Sequence, residues 1–200
     1  IVSLEEDLVK RLTLLERRVD GLIKPEVPLG LSRIGDTTLA ASATSITFSS
    51  ISPYFTNLMI ISFLRSDVAA ENDGVLLRFN ADATAIYDWE RFTSNSATLT
   101  GLAARAATSI QFGLCEGANS RASNWSPTWG MVYRYGDGGS EKWTISYNAA
   151  FGDVSADADL ILQVRAGRWR STAAITSLTV LPLTGPNFVS GSRIQLYGIV

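Results

Sequence analysis

"WGMVYRYGDGGSEKWTISY", residues 129–147, holds two runs in which nearly every second side chain is large and apolar, separated by a glycine-rich turn. Side chains of a strand alternate between faces, so this spacing reads as a β-hairpin and not as a helix. With "GDGGS" turning the chain, Tyr135 is expected to face Trp143, Tyr133 to face Ile145, and Met131 to face Tyr147. Trp129, Met131, Tyr133, Tyr135, Trp143, Ile145 and Tyr147 then share one face. Arg134, Thr144 and Ser146 fall on the other, where they suit solvent. The aromatic face reads as the core side of an amphipathic hairpin; its other use would be a sugar-binding platform.

The same pattern extends outward. From Thr38 the chain is rich in Ser, Thr, Ala, β-branched and aromatic residues, with turn residues such as "ENDG" (71–74), "GDGG" (136–139) and "TGPN" (184–187) between apolar runs. Strands are expected at 44–51, 57–66, 74–80, 85–92, 108–115, 129–135, 142–148, 158–165, 173–182 and 191–199. "TLTGLAARAA" (98–107) fits a loop or one helical turn. Two hundred residues suffice for one sizeable core.

The beginning of the chain follows a different period. Leu8, Leu15 and Leu22 at d and Leu12 and Val19 at a form a coiled-coil seam. Arg11 at g and Glu16 at the following e stand at the spacing that pairs charges between parallel helices. "RLTLLE" resembles a trimerisation signature, Arg-apolar-x-x-apolar-Glu, so the seam predicts a homotrimer. Pro25, Pro28 and Gly30 end the helix and extend the chain. The expected class is mainly β: a coiled-coil stem at 1–24, a linker at 25–37, and a β-sandwich, jelly-roll-like, at 38–200.

Composition narrows the function. Lys plus Arg number 17 against 19 Asp plus Glu, a net charge of −2, with no basic run, which argues against a nucleic-acid partner. The longest apolar run, "NLMIISFL" at 57–64, is too short to span a bilayer, so no membrane insertion is expected. The absence of histidine removes Ser-His-Asp and Cys-His catalysis and most zinc chemistry. The single Cys115 is expected to be a buried small hydrophobe. No cofactor is expected.

Three groups of residues carry candidate chemistry. Asp88 and Glu90, two apart on a strand, share a face; paired carboxylates can cleave a glycosidic bond, although two acids on a solvated face are more ordinary. Asp153, Asp157 and Asp159 gather oxygens of the kind calcium prefers, without the spacing of an EF-hand. The polar loop 115–129 offers Asn119, Arg121, Asn124 and Trp125 as a receptor-binding surface, with Trp125 either stacking on a sugar or anchoring the loop.

The final residues bring a resemblance. The turn "GPNF" at 185–188, then "GS", an alternating strand and "LYG" near 200 resemble the C-termini of bacteriophage virion proteins, and the stem, linker and β domain resemble trimeric fibres ending in jelly-roll knobs. The resemblance implies a non-enzymatic homotrimer on the virion surface, attached through a region upstream of Ile1 and contacting a host-surface glycan. A polysaccharide-degrading enzyme on a trimeric β scaffold is an alternative. So is a non-viral knob similar to the C1q and tumour-necrosis-factor family, or a sugar-binding module.

Overall fold

The structure, a computed structural model, describes residues 30–95, 98–151 and 160–200. The stem residues Leu8, Arg11, Leu12, Leu15, Glu16, Val19 and Leu22, and the acidic group Asp153, Asp157 and Asp159, lie outside the described residues. Residues Leu31–Val200 form one compact unit.

That unit is an antiparallel β-sandwich. Its strands are β1 (Leu31–Thr38), β2 (Ile46–Phe48), β3 (Asn57–Leu64), β4 (Asn72–Phe79), β5 (Tyr87–Asn95), β6 (Thr98–Ala107), β7 (Ile110–Glu116), β8 (Ser126–Tyr133), β9 (Lys142–Phe151), β10 (Leu160–Trp169), β11 (Leu178–Pro182) and β12 (Arg193–Ile199). One sheet runs β1-β12-β3-β8-β9-β10-β5-β6, the other β2-β11-β4-β7. The pairing is nested: β1 takes β12, β2 takes β11, β3 takes β8 and β4 takes β7. The hairpins β5–β6 and β9–β10 extend the larger sheet beyond β8.

The ten expected strands all have counterparts, and two more appear. The linker was expected to run to residue 37; instead β1 begins at Leu31 and pairs with β12 along its length. Its sequence, "LSRIGDTT", hides the strand because a bulge between Arg33 and Gly35 breaks the alternation. Gly35 is required there, since a Cβ would lie 2.5 Å from the Phe48 ring. The stretch 98–107, expected as a loop or helical turn, is the edge strand β6. Its alanines favour helix locally, but pairing with β5 decides the conformation.

The main core lies between the sheets and includes Leu58, Ile60, Val75, Leu77, Phe112 and Leu196. Cys115 is fully buried within β7, and burial, aided by Asp73, pushes its thiol up to about 12. Such a thiol is unreactive at neutral pH.

Across β8, β9 and β10 the sandwich is inverted. Thr128, Thr144, Ser146, Asn148, Gln163 and Arg165 are buried, whereas Trp129, Tyr133, Trp143, Ile145, Tyr147, Leu162 and Val164 are exposed. The hairpin's shared face is as the sequence implies, but it points outward and not into the core. Its register also differs: Tyr133 pairs with Trp143, Met131 with Ile145, and Trp129 with Tyr147. Tyr135 has left the strand. Arg134 adopts a left-handed φ of 49°, and Tyr135 turns fully into the core, its hydroxyl donating to the Ser52 carbonyl.

The inversion has a steric cause. The inward side chains of β8–β10 include glycines and short polar groups, which let β7 approach closely. A Cβ on Gly113 would meet Thr128 at 2.6 Å, one on Gly130 the Phe112 ring at 2.7 Å, and one on Gly167 the Ile110 side chain at 2.5 Å. Beside these three glycines the layer has no room for a large side chain. Deeper along it, Arg165 donates to Gln163 at 3.0 Å and to Gln111 at 3.1 Å, and Gln163 donates to Thr93 at 2.9 Å. Burial, then the charge of Arg91, brings Arg165 down to about 9, so it stays a cation at neutral pH.

At the other edge of the large sheet, Asp36 accepts from Arg193 at 2.7 and 2.9 Å and from Arg33 at 3.0 Å. The Arg193 hydrogen bond is the main cause of a carboxyl held at about 2 against an ordinary 3.8; desolvation opposes it, and Gln195 and Arg33 reinforce it. Asp82 and Asp137 are lowered as well. A lowered folded pKa contributes stability that is present above the unfolded value and lost as pH falls through the folded one. The melting temperature is therefore expected to be level just above pH 3.8 and to fall as pH drops from 3.8 to 2. Thermal melts across that range check it, and Asp36→Asn should make the fall shallower.

Candidate binding site

Asp88 and Glu90 do share a face of β5, and the pairing of β5 with β10 places Arg168 opposite Asp88. Arg168 in turn lies opposite Trp143 of β9. Residues distant in sequence thus meet in one row on the outer face of the large sheet. Arg168 donates to Asp88 Oδ2 from Nη2 at 2.5 Å and from Nε at 3.0 Å, and pairs with Glu141 at 3.3 Å. Its guanidinium carbon stands 5.6 Å from the centre of the Trp143 ring, a cation–π contact. Asp88 Oδ1 accepts the Ala106 amide at 3.0 Å. Around this row lies a concavity of about 310 Å³ lined by Asp88, Glu90, Arg105, Trp143 and Arg168, among others.

The two carboxylates differ in role. Asp88 is buried, which alone would raise its pKa. The hydrogen bonds of Arg168 and Ala106 and the charges of Arg170 and Arg168 outweigh that and hold it below the ordinary value. A retaining or inverting glycosidase needs one carboxyl kept protonated near neutrality to serve as the acid. Asp88 is instead a clamp on Arg168. Glu90 is half-exposed and only loosely paired with Arg105, at 3.9 Å, so both can turn to a ligand's hydroxyls. The half-exposed Trp143 supplies an apolar ring beside them.

The loop residues singled out from sequence lie at the opposite end of β9. Asn119 and Arg121 are exposed, whereas Asn124 and Trp125 are half-buried. Asn124 and Trp125 line a second concavity, about 200 Å³, with Glu116, Pro127 and Leu160. Trp125 rests its ring against Gly191, where a Cβ would approach it to 3.0 Å. The loop is held from beneath. Buried Arg65 donates to the carbonyls of Ala118, Ser120, Arg121 and Asn124, and buried Glu116 accepts from Ser120 at 2.5 Å and Ser126 at 2.8 Å. The structure therefore brings Asn124 and Trp125 together and leaves Asn119 and Arg121 outside that hollow.

Sequence reasoning found Asp88 and Glu90 but not Arg168, Trp143 and Arg105 around them. Alternation alone puts Trp143 on the core face, and cross-strand neighbours of Asp88 depend on a register that no local pattern specifies. Among the described residues, no group of His, Cys, Asp or Glu is placed to hold a metal ion, and no helix is long and apolar enough to cross a membrane.

No family model matches the chain, and no curated protein matches it. Among solved structures it is similar to the Caenorhabditis elegans galectin LEC-6, at 7% identity over 82% of this chain and 95% of that one, with a TM-score of 0.31. It is also similar to the carbohydrate recognition domain of Emp47p, at 9% identity over 89% of this chain and 92% of that one, with a TM-score of 0.29. Likenesses at these scores carry no functional conclusion.

Proposed function

We propose that the chain is a non-enzymatic, homotrimeric virion fibre or surface-decoration subunit, a jelly-roll knob on a coiled-coil stem, which contacts a host-surface glycan at the Trp143–Arg168 concavity. The nested order β1-β12-β3-β8 over β2-β11-β4-β7 supports the jelly roll, whose two Greek keys give that interleaving. The a/d seam of residues 8–22 supports the trimer. The observation that carries the binding role is a half-exposed indole set in a concavity beside a loosely paired carboxylate and guanidinium, which offers a stacking surface and hydroxyl partners together. Three copies would turn weak single-site affinity into firm attachment.

A non-viral sugar-binding knob would use the same concavity; the resemblance of residues 185–200 to virion proteins favours the viral reading. The polysaccharide-degrading alternative has less support, because both Asp88 oxygens are engaged within the protein, by Arg168 and by the Ala106 amide. A glycan array probed with the full chain tests binding. Trp143→Ala is expected to weaken it roughly thirtyfold, as for an aromatic hot spot of about 2 kcal/mol. Unchanged binding would remove the concavity from consideration, and loss on Trp125→Ala instead would move the site to the 117–125 loop.

A further inference from the structure

We infer that the inner face of the large sheet is built to hold a small oxyanion, a carboxylate, sulfate or phosphate group, between the guanidiniums of Arg91 and Arg165. The site lies on the face of β5 opposite to Glu90 and does not depend on the function proposed above.

The register sets up the pair. Arg91 of β5 and Arg165 of β10 stand directly opposite each other, where like charges repel. Both guanidiniums turn to the same neutral atom: Gln111 Oε1 accepts from Arg91 at 3.2 Å and from Arg165 at 3.1 Å. Arg165 also donates from Nε and Nη2 to Gln163 Oε1, and the Gln163 amide nitrogen is spent on Thr93. No carboxylate among the described residues pairs with either arginine. The contrast with the other arginines is plain. Arg168 has Asp88 and Glu141, Arg193 has Asp36, and buried Arg65 is met by four loop carbonyls. Arg165, only 2% exposed, has two amide oxygens, and it shares one of them with a second cation. Buried charges are ordinarily matched by an opposite charge, and here the chain supplies none.

A second observation lies on the same face. Asn148 of β9 stands directly opposite Gln163 and is 3% exposed, yet neither its Oδ1 nor its Nδ2 has a hydrogen-bond partner. Buried side-chain amides are nearly always hydrogen-bonded, so an unpartnered one beside an unmatched cation points to a ligand. The way in follows from the topology. The small sheet ends at β7, whereas the large one runs on to β5 and β6. Arg91, Thr93 and Gln111 are accordingly part-exposed, with Gln163, Arg165 and Asn148 buried behind them. A guanidinium fork matches two oxygens of one anionic group, which favours an oxyanion over a halide. The burial of Arg165 restricts the occupant to a free ion or one projecting acidic group, such as the carboxylate of a uronic acid.

Isothermal titration of sulfate, acetate and glucuronate into the full chain, at constant ionic strength, tests the site. We expect saturable binding of one anion per chain, weakened roughly tenfold or more in Arg91→Gln, the loss of a charged hydrogen bond. Binding of sulfate or acetate supports the inference and identifies a free oxyanion as sufficient. Binding of glucuronate alone supports it with the carboxylate carried by a sugar. No saturable binding of any of the three overturns it, and so does an unchanged affinity in Arg91→Gln, which would put the ion elsewhere. Should Arg91→Gln not fold, Arg91→Lys decides the same question: it keeps the charge without the fork, and its affinity should fall several-fold.

Discussion

Trp169→Ala is expected to lower folding stability by about 3–5 kcal/mol, the usual cost of removing a fully packed indole from a core. Trp169 is 2% exposed. It stacks on Tyr87 at 6.3 Å and 17°, tilts against Phe79 at 5.7 Å, and donates from Nε1 to Asp82 at 3.1 Å. Phe79 belongs to the smaller sheet, Tyr87 and Trp169 to the two hairpins that extend the larger one. The cluster is therefore a main pin between that extension and the rest of the sandwich. Alanine would leave a hollow between rigid strands and take a hydrogen bond from the Asp82 carboxylate. Trp169→Phe keeps most of the ring but not the donor, and should cost a further-reduced ~1–3 kcal/mol. Urea unfolding at one fixed protein concentration reads both values, because assembly would otherwise shift the midpoint. A change below about 1 kcal/mol for Trp169→Ala would mean the cluster is not packed as described.

Arg65→Ala should cost about 2–4 kcal/mol, because buried carbonyls lose a charged donor. The guanidinium is buried and makes four hydrogen bonds to loop carbonyls, the shortest at 2.6 Å to Arg121 and 2.7 Å to Ser120. Those carbonyls point inward, and without the guanidinium they lose these partners. The loss should be local before it is global: amide exchange across 117–125 should rise well before the sheets open. Arg65→Lys restores the charge but offers three donors from a single point in place of a planar fork, so it should recover only part of the protection. Unchanged exchange in Arg65→Ala would show that the loop is fixed by Glu116 and Trp125 without it.

Much of the architecture could be read from the chain because alternation and turn residues are local signals. The hairpin at 129–147 shows where they stop. Period two fixed which side chains lie together, but not which side faces the core. The rule that apolar residues point inward failed there because close contacts at Gly113, Gly130 and Gly167 bring β7 against the large sheet and leave no room beside them for large side chains. The register failed for a related reason: Tyr135 finds its partners in the core and the Ser52 carbonyl, and so leaves the ladder early. The spacing shows Asp88 and Glu90, whereas Arg168, the partner of Asp88, comes from a strand 80 residues away. Strands β1 and β6 were missed where a bulge or an alanine-rich composition masked the period.

The pairing of β1 has a consequence for how the protein is made. Among the described residues its one strand neighbour is β12, which is not available until Arg193–Ile199 have been synthesised. β3 likewise waits for β12 on one side. Until β12 emerges, the large sheet therefore has an open slot one strand in from its edge, between β1 and β3, which β12 closes. Contacts this distant in sequence make folding slow, and the slot is an unpaired edge for as long as it stays empty. A chain stalled short of β12 would be a species prone to capture strands from its neighbours.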